Sequence, residues 1–267
     1  MSETSVIYNR ALSENLYLMG LDWSSGEKEN PEIVPGQFVM LKITDDYDPL
    51  LRRPFGIYGL LRSQEKTVLE IVYKVVGKGT KKMSSLTPGD RLDVMAPIGN
   101  GFPELKEGEE LIMVAGGIGI APFKLLAAKY PDSVLLFGAR DASEAVLVNE
   151  IKDMGLRVKV ATMDGSRGTK GLVTELMESE FNRQSVVFAC GPLGMLRAVS
   201  KLSHDNRVKS FVSLERAMAC GVGACLGCAV KTKHGDDNAE RATFENLKMV
   251  CSDGPVFDGE LIDWEQL

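Results

Sequence analysis

The chain has 267 residues, 44% hydrophobic and 25% charged, with a formal net charge of -6. That length exceeds one average domain, and the acidic balance argues against a nucleic-acid partner. No apolar run is long enough to span a bilayer, and the opening MSETSVIYNR lacks the apolar centre of a secretory signal. No membrane or export role is expected, and the cytoplasm is the expected compartment.

Residues 1–103 read as β-structure. Short apolar runs recur at 37–43 (QFVMLKI), 54–61, 67–75 and 91–98, separated by proline, glycine and charged clusters. Several short strands with turn punctuation predict a small antiparallel barrel. One short helix is expected at Thr80–Leu86, closed by Pro88-Gly89-Asp90. Two strings in this segment could bind an anion. In Arg52-Arg53-Pro54-Phe55-Gly56-Ile57 a guanidinium beside a proline-fixed backbone suits a phosphate or diphosphate. Gly77-Lys78-Gly79-Thr80 opens the short helix with free N–H groups. The plainer reading of both is a charged edge strand and an ordinary helix start.

From 104 to 209 the pattern changes to strand and helix in alternation. Strands are expected at 110–116, 133–140, 156–164 and 185–191, with helical stretches at 121–130, 147–155, 172–179 and 193–202. Such alternation predicts a parallel sheet covered by helices on both faces, with ligands bound beyond the carboxyl ends of its strands. The turn Gly116-Gly117-Ile118-Gly119 follows a strand and opens a helix, so its backbone can approach a pyrophosphate closely. Pro122 stands where the dinucleotide fingerprint has its third glycine, so that fingerprint is half matched. Cys190-Gly191-Pro192 ends another strand on the same sheet edge and offers a flat ledge for a nicotinamide ring. Alternatively, Cys190 is a small buried hydrophobe.

Residues 210–267 carry Cys220, Cys225, Cys228 and, remotely, Cys251. The first three read C-x4-C-x2-C, the spacing with which plant-type ferredoxins hold a two-iron, two-sulfur cluster. Gly221, Gly223 and Gly227 let a tight loop turn its N–H groups toward sulfur. A structural zinc site more often brings its cysteines as two pairs, and a disulfide framework needs an oxidising compartment. The segment has little apolar material of its own, so a cluster would supply much of its cohesion. The polar stretch at 234–242 is expected to be an exposed connection. His204 and His234 lie beside no obvious metal ligand and are expected at the surface.

The strings RRPFGI, VVGKGTKKMS, APIGNGF, VAGGIGIAPF, DGSRGTKG, ACGP, ERAMACGVGACLGCAVKT and MVCSDGPVF together resemble two nested families. Residues 1–205 resemble the ferredoxin–NADP reductase superfamily, and the whole chain resembles the electron-transfer subunits of class B dihydroorotate dehydrogenases. The resemblance implies an α/β plus β architecture: a flavin-binding barrel (1–103), a nicotinamide-binding α/β domain (104–209) and a small iron–sulfur domain (210–267). It implies FAD contacts at Arg53, Pro54, Phe55, Gly56, Ile71, Val72, Tyr73, Gly79 and Thr80. NAD contacts are implied at Gly116, Gly117, Gly119, Cys190, Gly191 and Pro192, and a 2Fe-2S cluster on Cys220, Cys225, Cys228 and Cys251. The implied partner is an FMN-containing dihydroorotate dehydrogenase catalytic subunit, in a two-plus-two assembly. No catalytic residue for the organic substrate is expected on this chain. In one departure, Gly56 stands where the family pattern generally has a hydroxyl residue, which removes a hydrogen bond near the flavin ring. Competing readings are the small subunit of a bifurcating ferredoxin–NADP or sulfide oxidoreductase, and a non-catalytic redox-sensing module.

Overall fold

The computed structural model describes residues 2–24, 32–44, 47–64, 66–233 and 246–267. The expected connection at 234–242, including His234, lies outside the described residues.

Strands β1 (Ser2–Ser13), β2 (Leu16–Asp22), β3 (Phe38–Lys42), β4 (Arg53–Arg62), β5 (Thr67–Lys74) and β6 (Arg91–Ile98) close a barrel in the order β1-β2-β5-β4-β3-β6. All of its pairings are antiparallel. β1 closes the ring by changing partner. Ser2 to Ser5 pair with β6, the register shifts between Val6 and Tyr8, and the remainder pairs with β2. A bulge of this kind bends a strand, so one chain segment can serve two neighbours. Val39, Leu41, Ile57, Leu69, Ile71 and Val94 fill the interior. β1 and β2 escaped the sequence reading. β1 runs SETSVIYNRALS, and Thr4 shares its buried side with Val6, so its apolar signal is faint. The expected short helix is α1 (Lys78–Ser84), two residues earlier than predicted.

The second layer is a seven-stranded sheet. Its strands are β7 (Glu110–Gly116), β8 (Val134–Ala139), β9 (Arg157–Thr162), β10 (Thr169–Lys170), β11 (Ser185–Cys190), β12 (Lys209–Ser213) and β15 (Val256–Asp258), in the order β10-β9-β8-β7-β11-β12-β15. Only β15 runs antiparallel. Successive side chains of its central strands alternate between two cores, as a doubly covered sheet requires. Leu111, Met113, Leu135 and Phe188 pack with α2 (Phe123–Lys129) and α3 (Leu147–Asp153) on one face. Ile112, Val114, Leu136 and Val187 meet Leu196 and Val199 of α4 (Leu193–Asp205) on the other. The helix expected at 172–179 is instead two 3₁₀ turns, Val173–Leu176 and Glu178–Glu180. The Glu175 carboxylate accepts the Leu172 N–H at 3.1 Å, and Glu175, Met177 and Glu180 bond to carbonyls three residues back. The run is closed before an α-turn can propagate.

The C-terminal segment contributes a hairpin of β13 (Ala229–Lys231) and β14 (Leu247–Met249), then returns as β15 to the sheet edge. Its Cys228, Val230, Val250, Cys251 and Phe257 share one core with Met40 of the barrel and Val212 of the sheet. The segment therefore supplies apolar contacts of its own, and the expected boundary at 209/210 falls within β12.

Barrel and sheet are pinned together by a buried charge network. Lys124 of α2 reaches Glu70 of β5 at 2.8 Å and Glu150 of α3. Tyr8 donates to Glu70, Tyr58 donates to Glu150, and the Lys124 ammonium sits 4.5 Å from the Tyr58 ring centre. Burial, and then the carboxylate each faces, raises the pKa of both phenols, so they remain donors.

Candidate functional site

Two adjoining clefts open along the carboxyl edge of the sheet, where it faces the barrel. The larger, about 950 Å³, is floored by the ends of β7, β8 and β11. Gly116 and Gly117 line it from one strand end, Gly191 and Pro192 from another. The two turns meet without side chains between them. A Cβ on Gly119 would stand 2.3 Å from the Cys190 carbonyl oxygen, and one on Gly191 would stand 2.9 Å from the Gly116 nitrogen. Gly117 adopts φ +54 and Gly191 φ +155, which glycine accepts most readily. Gly119 thus acts in packing and does not line the cleft. The backbones approach closely, with the Met195 side chain packed against Gly116 and Gly191, and such a close backbone approach is what a pyrophosphate site uses.

The smaller cleft, about 510 Å³, lies between β4, β5 and the chain after β12. Pro54, Phe55, Gly56, Val72, Tyr73 and Thr80 line it. Tyr73 is held in place by its hydroxyl, which donates to Asn9 Oδ1 at 2.9 Å, and by stacking against Tyr17. Ile71 is fully buried in the barrel interior, so its side chain does not reach the cleft. A Cβ on Gly56 would meet Ala121 at 3.5 Å, so the missing hydroxyl reflects no lack of room. Of the two arginines, Arg52 is tied to Asp93. Arg53 lies over the first turn of α1, its Nε 3.6 Å from where a Gly79 Cβ would be, and it donates to the carbonyls of Leu51 and Arg52. The Thr80 hydroxyl accepts the Val76 and Gly77 N–H groups at 2.9 and 3.2 Å, so it shapes the turn rather than facing a ligand.

Cys190 lines the smaller cleft while its neighbours Gly191 and Pro192 line the larger. It therefore sits where the two clefts adjoin. Burial pushes its thiol pKa up to about 12, so it stays protonated and is no nucleophile. The sequence reading missed other junction residues: Lys74, Val76, Ile118 and Glu215 line both clefts. Burial raises the Glu215 carboxyl pKa. Glu215 follows β12 by two residues, on the same carboxyl edge, and that position was its available signal.

From Glu215 the chain runs along the smaller cleft through Arg216, Ala217 and Met218 and enters the cysteine loop. There the four thiols come together as two neighbourhoods. Cys228 and Cys251 sulfurs are 3.3 Å apart, and Cys220 is hydrogen-bonded to Cys225. Backbone N–H groups point at sulfur: Gly223 to Cys251 at 3.1 Å, Val222 to Cys220 and Gly227 to Cys225 at 3.5 Å. Hydrogen bonds from Val222 and Cys225 hold the Cys220 thiol down to about 6. Among the described residues no three His, Cys, Asp or Glu side chains are grouped around one ion, whereas two thiol pairs suit two metal atoms. A Cβ on Gly221 (φ +73) would stand 3.2 Å from the Met40 side chain of β3, so the loop is seated closely on the barrel at this glycine. Asn100 secures the far side by donating to the carbonyls of Ser252 and Asp253. His204 is exposed and faces Glu260 at 3.0 Å, away from this site.

Comparison with known proteins agrees with this arrangement. Residues 215–263 match the iron–sulfur cluster binding domain of dihydroorotate dehydrogenase B, and residues 113–201 match an oxidoreductase NAD-binding domain. The chain is 39% identical to the dihydroorotate dehydrogenase B (NAD(+)) electron transfer subunit of Caldanaerobacter subterraneus subsp. tengcongensis, over 96% of this chain and 95% of that one. It is 40% identical to the corresponding subunit of Desulforamulus reducens, over 87% of each. Among solved structures it matches an NADH-dependent reduced ferredoxin–NADP oxidoreductase at 28% identity and TM-score 0.83, over 100% of this chain and 92% of that one. A ferredoxin NADP+ reductase from Neisseria gonorrhoeae with bound FAD and NADP, 15% identical with TM-score 0.64 over 81% of this chain and 92% of that one, shares the fold.

Proposed function

We propose a function from one premise: this chain belongs to the family of dihydroorotate dehydrogenase B electron transfer subunits. It is an oxidoreductase subunit with an NAD-binding domain and an iron–sulfur domain. In our reading it carries electrons from an FMN-containing catalytic subunit, which oxidises dihydroorotate in pyrimidine biosynthesis, through a 2Fe-2S cluster and FAD to NAD. The observation that carries this reading is the continuity of the three sites. The larger cleft shares four residues with the smaller one, and the wall of the smaller runs directly into Cys220.

The residues fit the groups they would hold. Cys220 with Cys225, and Cys228 with Cys251, would each supply two thiolates to one iron of a two-iron cluster. Phe55, Gly56, Val72 and Tyr73 would flank the flavin ring, and Arg53 with the backbone at Gly79 and Thr80 would hold the FAD diphosphate. Gly116, Gly117, Gly191 and Pro192 would receive the dinucleotide, with Gly119 allowing the two turns to close together and Cys190 beneath the nicotinamide. When bound, FAD exchanges a hydride with the nicotinamide and single electrons with the cluster. Cys190 stays protonated at the junction, and burial raises the carboxyl pKa of Glu215 beside it. Val222 and Leu226 expose apolar side chains on the cysteine loop, which suits Ala219–Leu226 to docking the catalytic subunit in a two-plus-two assembly. Cytoplasmic placement follows from the same reading; among the described residues no helix is long and apolar enough to cross a membrane.

Co-expression with an FMN-containing dihydroorotate dehydrogenase catalytic subunit tests the proposal. The pair should reduce NAD with dihydroorotate, while the chain alone should reduce ferricyanide with NADH and leave dihydroorotate untouched. The isolated chain should contain FAD and equal amounts of iron and acid-labile sulfide. Turnover of dihydroorotate by the isolated chain, or failure of the pair to associate, would refute the reading.

A further inference from the structure

The wall of the larger cleft carries two basic side chains, Lys74 and Arg140, and both are bound to one carboxylate. Glu144 Oε1 accepts from Lys74 Nζ at 2.7 Å and from Arg140 Nε and Nη2 at 3.0 and 2.7 Å. Its second oxygen accepts the Arg140 main-chain N–H at 3.0 Å. Glu14 and Glu215 also line the cleft, and among the described residues that line it the basic side chains are Lys74 and Arg140, both committed to Glu144.

The place of this cluster in the sheet gives it meaning. Gly116, at the glycine turn, pairs in register with Gly138 of β8, and Arg140 and Glu144 lie just beyond the carboxyl end of β8. In open α/β sheets a dinucleotide with its pyrophosphate on one strand-end turn lays its adenosine ribose over the end of the neighbouring strand. An acid there accepts the ribose 2′-hydroxyl, whereas a free arginine there receives a 2′-phosphate. Here the arginine is present but occupied.

We infer that Glu144 is a selectivity residue: by occupying Arg140 and Lys74 it admits a dinucleotide with a free 2′-hydroxyl and refuses the 2′-phosphorylated form. The inference rests on the reading of this cleft as the dinucleotide site. A 2′-phosphate would bring up to about two negative charges against the Glu144 carboxylate. To gain Arg140 it would have to break a forked ion pair and leave a largely buried acid short of partners. A 2′-hydroxyl can donate to the less crowded oxygen of Glu144 and disturb nothing.

The test uses the full chain with its flavin and cluster, titrated calorimetrically with NAD+ and with NADP+, alongside ferricyanide reduction by NADH and NADPH. Glu144→Gln should raise the NADP+-to-NAD+ affinity ratio by about tenfold or more, and adding Arg140→Ala should abolish that gain. If the Gln variant loses its flavin, Glu144→Ser carries the same expectation. An unchanged ratio in a flavin-replete Glu144 variant overturns the inference. So does a loss of NADP+ affinity on Arg140→Ala alone, which would mean that Arg140 already binds the phosphate. Binding of neither dinucleotide by the unsubstituted chain would instead refute the dinucleotide reading itself.

Discussion

Replacing Gly119 by alanine tests how the two nucleotide-binding turns depend on each other. The new methyl would stand 2.3 Å from the Cys190 carbonyl oxygen, 2.5 Å from its carbon and 2.7 Å from Gly191 Cα, where ordinary contact begins at 3.4 Å. All three are backbone atoms, so no rotamer change relieves the clash, and the turns must separate by about 1 Å. Gly119 and Cys190 adjoin β7 and β11, paired in the middle of the sheet, so the separation disturbs a buried ladder. Overpacking of that kind costs about 3 kcal/mol, the upper end of its usual range. It also shifts Gly191-Pro192 away from Gly116, and a displacement of about 1 Å in a positioning element can lower activity by about 100-fold. Urea unfolding of the full chain and NADH-dependent ferricyanide reduction measure the two effects. The absorption of the cluster should persist, because the cysteines are seated on other elements. Gly117→Ala is the contrasting variant: nothing lies within 4 Å of its Cβ, so only the left-handed backbone costs, about 1–2 kcal/mol. If Gly119→Ala unfolds like the unsubstituted chain and keeps its KM for NADH, the argument from turn packing is wrong.

Two further outcomes follow from buried charges. Lys124→Met strands Glu70, which is 2% exposed; stability should fall by about 3–5 kcal/mol. The additional change Glu70→Gln should recover part of it, and no recovery would mean that lost packing, not charge, is responsible. At Glu144 desolvation acts to raise the carboxyl pKa, but hydrogen bonds from Arg140 and Lys74 outweigh it and hold the value at about 2, against an ordinary 4.5. Because the folded pKa is the lower one, this stabilisation is complete above about 4.5 and is lost as pH falls toward 2. Glu144→Gln should flatten that part of the acid-unfolding curve, and an unaltered curve would assign the acid sensitivity to other carboxylates.

Features that depend on neighbours in the chain were legible before any coordinates. The cysteine spacing, the glycine turns after 115 and 189, the four apolar runs of the barrel and the strand–helix alternation each arise from a few consecutive residues with a distinctive conformational demand. β1 stayed hidden because Thr4 occupies an inward position and the strand draws its stability from two different partners. The 3₁₀ turns at 173–180 stayed hidden because the apolar period of their sequence also suits an α-helix, and the Glu175 contact that closes them leaves that period unchanged. What tertiary structure alone decided is which residues meet. Lys74 of the barrel reaches Glu144 of the sheet layer, 70 positions away, and Glu70 pairs with Lys124. Cys190 and Glu215 share one junction because β11 and β12 are parallel neighbours. Ile71 turned inward although Val72 and Tyr73 line the cleft, a matter of strand register. Local composition specifies turns and strands, whereas the register and order of strands decide which charges face one another across a cleft. No short stretch of sequence contains that information.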